Sequence, residues 1–289
     1  MFKLPWVTSR YGRGGTHAAA LGGTPAVTYE YDLDDDYGVD TTPIVHFDAS
    51  QNVYNSGTTL ATDGQAISGW GSRVGGYTVD QGTGSAQPTF ETASSNLNGV
   101  PSVIFDGGDW LAKEPLLSAG TLTSPTTLFM VAHVPVTTVV GWYGGEDTDG
   151  LGAWNNTAWI ASAKWGYHHY TPTGYDSAGP TYATGQWIIC WNFDASGTDY
   201  FYASHKGAVG KKRYAVSYTT SENPDANLFN FSLTLGARLA GGSPVKVNSE
   251  MAEFIIFNET LTAEVDGSDD LTGGETNAVF DYLKAKYDI

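Results

Sequence analysis

Short apolar runs separated by turn residues set the pattern from Thr42 onward. Such runs occupy 43–48 (PIVHFD), 102–106 (SVIFD), 126–134 (TTLFMVAHV), 157–163, 186–193 (QWIICWNF), 199–204 (DYFYAS), 214–219, 231–236 and 250–257 (EMAEFIIF). They are rich in β-branched and aromatic residues and are bounded by Gly, Asp, Asn or Pro, which predicts strands. DYFYAS alternates polar and apolar positions, as a half-buried strand does. LFMVAHV and WIICWNF are apolar on both phases, as central strands of a sandwich are. One helix is predicted, within ETNAVFDYLKAKYDI. There Val279, Leu283 and Tyr287 fall at i, i+4 and i+8, and Phe280 widens the same face. Thr276 is placed to cap its start, and Lys284 and Lys286 lie in the last turns, where cations suit the helix dipole. The helix is expected to pack as a lid on the sandwich.

The first 40 residues differ. Residues 1–14 hold Lys3, Arg10 and Arg13 with no acid, and 15–28 are small and loop-like. An acidic cluster follows, with Glu30, Asp32, Asp34, Asp35, Asp36 and Asp40. This reads as an extended arm, residues 1–40, ahead of a body at 41–289. Phe2, Trp6, Arg10, Tyr11 and Arg13 combine aromatic anchors with guanidinium groups, a combination suited to docking on a partner surface.

Composition agrees with the strand pattern. Of 289 residues 36 are Gly and 12 Pro, while charged residues make up only 16%. That disfavours a helical bundle or coiled coil. No repeat of solenoid or propeller length is evident. The net charge of -17 is repelled by phosphate backbones and anionic membranes, so neither nucleic acid nor a membrane is an expected partner. Cys190 is the single cysteine, so no intrachain disulfide forms; its apolar run predicts a buried, inert thiol. The start carries no apolar run of signal-peptide type.

Four blocks, in order, resemble a known family. They are IVHFDASQNVY with ISGWGSRVGG and QPTF after a long loop; NGVPSVIFDGGDWL; GQWIICWNFDASGTDYFYASHKG; and LTLGARLAGG followed by MAEFIIFNETLT and FDYLKAKYDI. Together they resemble the concanavalin A-like lectin/glucanase superfamily, in its laminin-G-like (pentraxin-like) branch, as found in phage virion proteins. The likeness covers about residues 43–289. It implies an all-β, two-sheet antiparallel jelly-roll sandwich with a short C-terminal helix, which binds ligands on its concave face or rim loops, often with calcium. AEVDGSDDLTGGE, between Thr262 and Thr276, is longer than the family's usual turn into the helix.

The chemistry expected from these residues is recognition. Glycoside hydrolysis needs two carboxyl groups about 5–9.5 Å apart. The laminarinase-type relatives carry them as E-x-D-x-x-E on one strand face. The nearest string here, with Glu30, Asp32 and Asp34, lies in the arm, and Glu253 and Glu259 are six apart in EFIIFNE. The expectation is therefore a chain that is not an enzyme. Sugars are held by flat aromatic faces and planar polar groups. The stretch 141–170 supplies Trp142, Tyr143, Asp147, Asp149, Trp154, Asn155, Trp165, Tyr167 and His168 as the candidate glycan-binding set. No cofactor is expected. Calcium in the acidic turns holding Glu146, Asp147 and Asp149, or Asp266, Asp269 and Asp270, stays open, as does calcium at the arm's DLDDD. The adjacent His168 and His169 point to opposite faces of a strand and, without a cysteine, do not suggest zinc. The basic tract Lys211, Lys212 and Arg213 reads as a solvated hairpin tip, with an acidic neighbour or an anionic sugar as the functional alternative.

These readings predict a virion protein, made in a host cytoplasm: a bacteriophage head decoration, spike or fibre module. The arm attaches to capsid or tail proteins, and a homo-oligomeric, lectin-like body faces host glycans. The alternative is a free carbohydrate-binding module or an inactive relative of a polysaccharide hydrolase.

Overall fold

The computed structural model describes residues 39–113, 126–135, 140–141, 143–146, 154–155, 157–161, 164–168, 180, 183–193, 199–207, 211–216, 233–240 and 243–289. All lie in the unit Tyr31–Ile289. The arm residues Phe2, Trp6, Arg10, Tyr11 and Arg13 lie outside the described residues, as does the arm's acidic cluster up to Asp36.

Among the described residues there are two eight-stranded antiparallel sheets, as a sandwich requires. The first runs in the order Lys212–Val216, Asp199–His205, Gly185–Phe193, Thr126–Val134, Asn248–Phe257, Ser102–Asp106 and Thr89–Glu91, with Val45–Asp48 also paired to Asn248–Phe257. The second runs Trp154–Asn155, Tyr143–Glu146, Leu233–Leu235, Leu111–Lys113, Thr78–Asp80, Gly69–Gly71, Val53–Ser56 and Thr59–Leu60. Each of the nine apolar runs read from the sequence overlaps a strand among the described residues.

Period-two alternation divides each strand between two environments. Met130, Ala132, Trp187, Ile189, Trp191, Phe254 and Ile256 face the second sheet and meet Trp70, Val79, Leu111, Leu233 and Leu235 in one buried core. The intervening residues, Phe129, Ile188, Cys190, Ile255 and Phe257, are buried too, though outside that core. Helix α1, Gly274–Tyr287, covers them; Phe280 meets Phe129 edge-on at 5.6 Å. This second cover explains why LFMVAHV and WIICWNF are apolar on both phases. Val279, Phe280, Leu283 and Tyr287 are all buried, as the helical spacing predicts.

Two local expectations are corrected. Thr276 does not cap α1; the cap position is Gly273, with no side-chain hydrogen bond, and the Thr276 hydroxyl inside the first turn donates to the Leu261 carbonyl. The other end is capped in trans: Asn98, at φ 59°, donates its amide to the Tyr287 and Asp288 carbonyls. The long loop expected between Tyr54 and Ile67 carries the short strand Thr59–Leu60, and Val53 to Val100 as a whole supplies five short strands, four of them in the second sheet. Gly69–Gly71 and Thr78–Asp80 each bury a single large apolar side chain, Trp70 and Val79, in the core. One inward side chain per strand is too brief an alternation to read from sequence.

The insertion before α1 forms the hairpin Glu264–Val265 with Leu271–Gly273. It lies along the outermost strand of the first sheet, where Arg213 N–H donates to the Asp269 carbonyl and Leu271 N–H to the Lys211 carbonyl. An edge that would otherwise present unpaired backbone groups is thereby covered.

Candidate functional site

Two polar constellations emerge among the described residues. The first is sealed beneath α1. Glu253, fully buried, meets His46 Nε2 at 2.5 Å and accepts hydrogen bonds from Tyr282 Oη at 2.9 Å, Tyr287 Oη at 2.6 Å and Lys286 Nζ at 2.8 Å. Lys286 Nζ also donates to Asp48 Oδ2 at 2.7 Å, and Asp48 further accepts from Ser50 and Arg73. His46, Asp48 and Glu253 offer three ligand atoms within 4.8 Å of one another, a spacing a metal ion could use. The Lys286 ammonium already contacts both carboxylates. Burial alone would raise the Glu253 pKa, but Lys286 and His46 together hold it far below the usual carboxylate range. Burial pulls Lys286 down, while Glu253 and Asp48 more than reverse it and raise its pKa. The arrangement fastens helix to sheet and leaves no room for a solvent-borne substrate.

The second constellation is the outer face of the second sheet. Since Val53, Trp70, Val79, Leu111 and Leu233 point to the core, Tyr54, Gly69, Gly71, Thr78, Asp80, Ala112 and Thr234 belong to the opposite face. Backbone register places Tyr54, Gly69, Asp80, Ala112, Thr234 and Gly144 in one row across six strands. The Tyr54 ring lies along Gly69 and Gly71: a Cβ built on Gly71 would come within 3.2 Å of it, and one on Gly69 within 4.0 Å. Thr78 Cγ2 flanks Gly69 from the other side, 3.5 Å from the same built Cβ. Asp80 is exposed and 3.9 Å from Lys113 Nζ. The Thr234 hydroxyl is buried with no hydrogen-bond partner. The Tyr54 ring, the Thr78 side chain and the Asp80 carboxylate, beside a floor of glycines, form a surface able to bind a polyol.

Sequence reasoning missed Tyr54, Thr78, Asp80 and Thr234. Gly69-Trp70-Gly71 gave no alternation to read, and only the burial of Trp70 in the core shows that its two glycines leave the outer face bare.

Of the candidate glycan-binding set, Trp142, Asp147 and Asp149 lie outside the described residues. Tyr143 lies on a second-sheet strand opposite Leu235, and Trp154 and Asn155 form the edge strand paired with Glu146 and Gly145. Trp165, Tyr167 and His168 lie on Lys164–His168, paired with Thr157–Ala161 in a separate three-stranded sheet. The set is thus divided between two sheets.

The basic tract faces its own chain. Lys211 reaches Asp281 at 2.7 Å, Lys212 reaches Asp270 at 3.1 Å, and Arg213 reaches Asp269 at 2.7 Å while lying 5.0 Å from the Tyr200 ring centroid. Asp266 accepts the backbone N–H groups of Ser268 and Asp270, which lower its pKa. The acidic turn and the basic tract, two separate candidates in the sequence, neutralise each other. This replaces the reading of the tract as a free hairpin tip.

No family model matches the chain, and no curated protein matches it. Solved structures do. A GH54 α-L-arabinofuranosidase soaked with 4-nitrophenyl α-L-arabinofuranoside superposes with TM-score 0.58 at 11% identity, over 87% of this chain and 60% of that one. An arabinofuranosidase complexed with arabinofuranosyl-α-1,2-xylobiose matches at TM-score 0.58, 12% identity and the same coverage, 87% and 60%. Domain 4 of AbnA, a GH43 extracellular arabinanase from Geobacillus stearothermophilus, in complex with arabinotriose, matches at TM-score 0.48 and 13% identity, over 84% of this chain and 98% of that domain. The chain therefore spans about 60% of the length of the arabinofuranosidases it matches. The likeness is one of fold: a β-sandwich shared with carbohydrate-active proteins.

These matches correct the expectation that the chain is not an enzyme, because the proteins sharing the fold include glycoside hydrolases. That expectation rested on finding no paired acids along one strand. A sandwich can bring two carboxyl groups together from strands far apart in sequence, so the test was too local.

Proposed function

We propose that the chain is a carbohydrate-active β-sandwich whose second sheet binds a saccharide on its outer face. The observation that carries the reading is the row that starts at Tyr54, Gly69, Asp80 and Ala112, low in side-chain bulk and bearing the exposed Asp80 carboxylate. The fold shared with arabinofuranosidases supports it. The test is titration of the full chain with arabinan- and xylan-derived oligosaccharides. Micromolar to millimolar saturable binding supports the reading, and no binding to any glycan on a broad array sinks it.

Hydrolysis of an arabinofuranoside is a second reading, favoured by the two matches at TM-score 0.58. In it Asp80 supplies one of the two carboxyl groups. Release of 4-nitrophenol from 4-nitrophenyl α-L-arabinofuranoside, lost in Asp80→Asn, is the expected result; no release rejects it.

Display of this body on a virion rests on sequence features, the amphiphilic arm first among them. Removing residues 1–28 is expected to leave the body folded and to abolish incorporation into particles. Normal incorporation of the truncated chain rejects that part of the proposal.

A further inference from the structure

The outer face of the second sheet is not uniform. At one end the half-buried Tyr54 ring lies across two glycines of the next strand, closest to Gly71, where a Cβ would crowd it. A Cβ on Gly71 would meet the ring at 3.2 Å and Asn52 Cβ at 3.1 Å, tight enough to displace the ring or the strand. Beyond the ring come the Thr78 side chain and then Asp80, opposite Gly69 in register. Farther along the row the Thr234 hydroxyl is buried and unpartnered, an oddity for a structural position, since buried polar groups are nearly always satisfied.

Charge restricts what this surface accepts. Among the described residues Arg73, Lys113, Lys206, Lys211, Lys212 and Arg213 each already face a carboxylate. Lys113, next to Ala112 of the row, is shared with Asp80. The chain carries a net charge of -17. A uronate, sulfate or sialate would enter a repulsive field, and each of these six cations is already engaged by a carboxylate.

We propose that Tyr54, Thr78 and Asp80 form a subsite for one neutral sugar unit. The inference rests on the saccharide reading above and adds the ligand class and the platform. The sugar's C–H face stacks on the Tyr54 ring, releasing water from both apolar surfaces. Its hydroxyls donate to the Asp80 carboxylate and exchange hydrogen bonds with Thr78, and a charge-assisted bond to Asp80 is the stronger of the two.

The experiment is calorimetric titration of the full chain with two panels at low and high salt. One panel is neutral, arabino- and xylo-oligosaccharides; the other is anionic, oligogalacturonate and sialyllactose. The neutral panel is expected to bind with little salt dependence. Tyr54→Ala is expected to weaken it by about tenfold or more, as loss of a central aromatic contact does. Tyr54→Phe, which keeps the platform, should retain binding, and Asp80→Asn should weaken it several-fold at unchanged melting temperature. Neutral binding that ignores Tyr54→Ala and Asp80→Asn overturns the subsite and leaves saccharide recognition standing. Binding of the anionic panel alone overturns the ligand class. Binding of neither overturns this inference together with the reading beneath it.

Discussion

Lys286 and Glu253, 33 positions apart, meet at 2.8 Å with side chains 2% and 0% exposed. The pair joins the last turn of α1 to the central strand of the first sheet. Asp48 completes it from a third element, at 2.7 Å from the same ammonium. Desolvating three charges is costly, and the cost is offset only because each is also hydrogen-bonded. Glu253 alone accepts from two tyrosines and lies against His46.

Breaking the cluster from one side strands the rest. Lys286→Met is expected to destabilise the fold by about 3–5 kcal/mol, since it removes the ammonium shared by two buried carboxylates. Adding Glu253→Gln to Lys286→Met should recover part of the loss. Denaturant unfolding of the two variants checks both statements; equal stability of Lys286→Met and the parent would show that the pair contributes nothing.

The same cluster sets the pH window of stability. Glu253 has a folded pKa far below its ordinary value of 4.5, so its contribution is present above that value and is lost as pH falls below it. Lys286 is raised above 10.5, so its contribution is present below that value and is lost on alkalinisation. Tyr282 and Tyr287, raised by burial first and then by Glu253, act in the same alkaline direction. The melting temperature is expected to form a plateau between about pH 5 and 10 and to fall on both sides. In Lys286→Met both shoulders should flatten.

Cys190 is fully buried, and burial raises its thiol pKa well above the ordinary value. It should resist alkylation in the native protein and react stoichiometrically after unfolding. Rapid modification of the native chain would mean that α1 opens readily from the sheet.

Gly236 adopts φ +77°, and a Cβ there would lie 2.0 Å from the Phe105 ring. Gly236→Ala combines backbone strain with a clash against the core and is expected to cost at least about 2–3 kcal/mol. A thermal melt suffices as the check.

The hairpin at 264–273 covers the edge strand Lys212–Val216. Asp269→Asn, which removes one exposed ion pair, should change stability by less than about 1 kcal/mol. Replacing the whole hairpin by a short flexible linker should instead promote self-association, because it bares a strand edge. Size-exclusion chromatography separates the two outcomes.

Sequence determined the strands and the closing helix wherever apolar character persisted over several residues. TTLFMVAHV, QWIICWNF and EMAEFIIF were legible because each feeds two buried layers, and α1 because Val279, Leu283 and Tyr287 repeat at its period. Tertiary structure alone decided the rest. The second sheet is built from strands such as Gly69–Gly71, whose single inward Trp gives no alternation to read. Lys286 read as a cation suited to the helix dipole, and only the meeting of α1 with Glu253 and Asp48 made it a buried counter-ion. Lys211, Lys212 and Arg213 looked free until the fold laid the 266–270 turn against them. Tyr54 and Asp80, 26 residues apart, share a surface only through strand register. Helical and strand periods are properties of neighbouring residues and show in a single chain. Charge pairing, burial of ions and a binding face depend on which distant segments the core brings together.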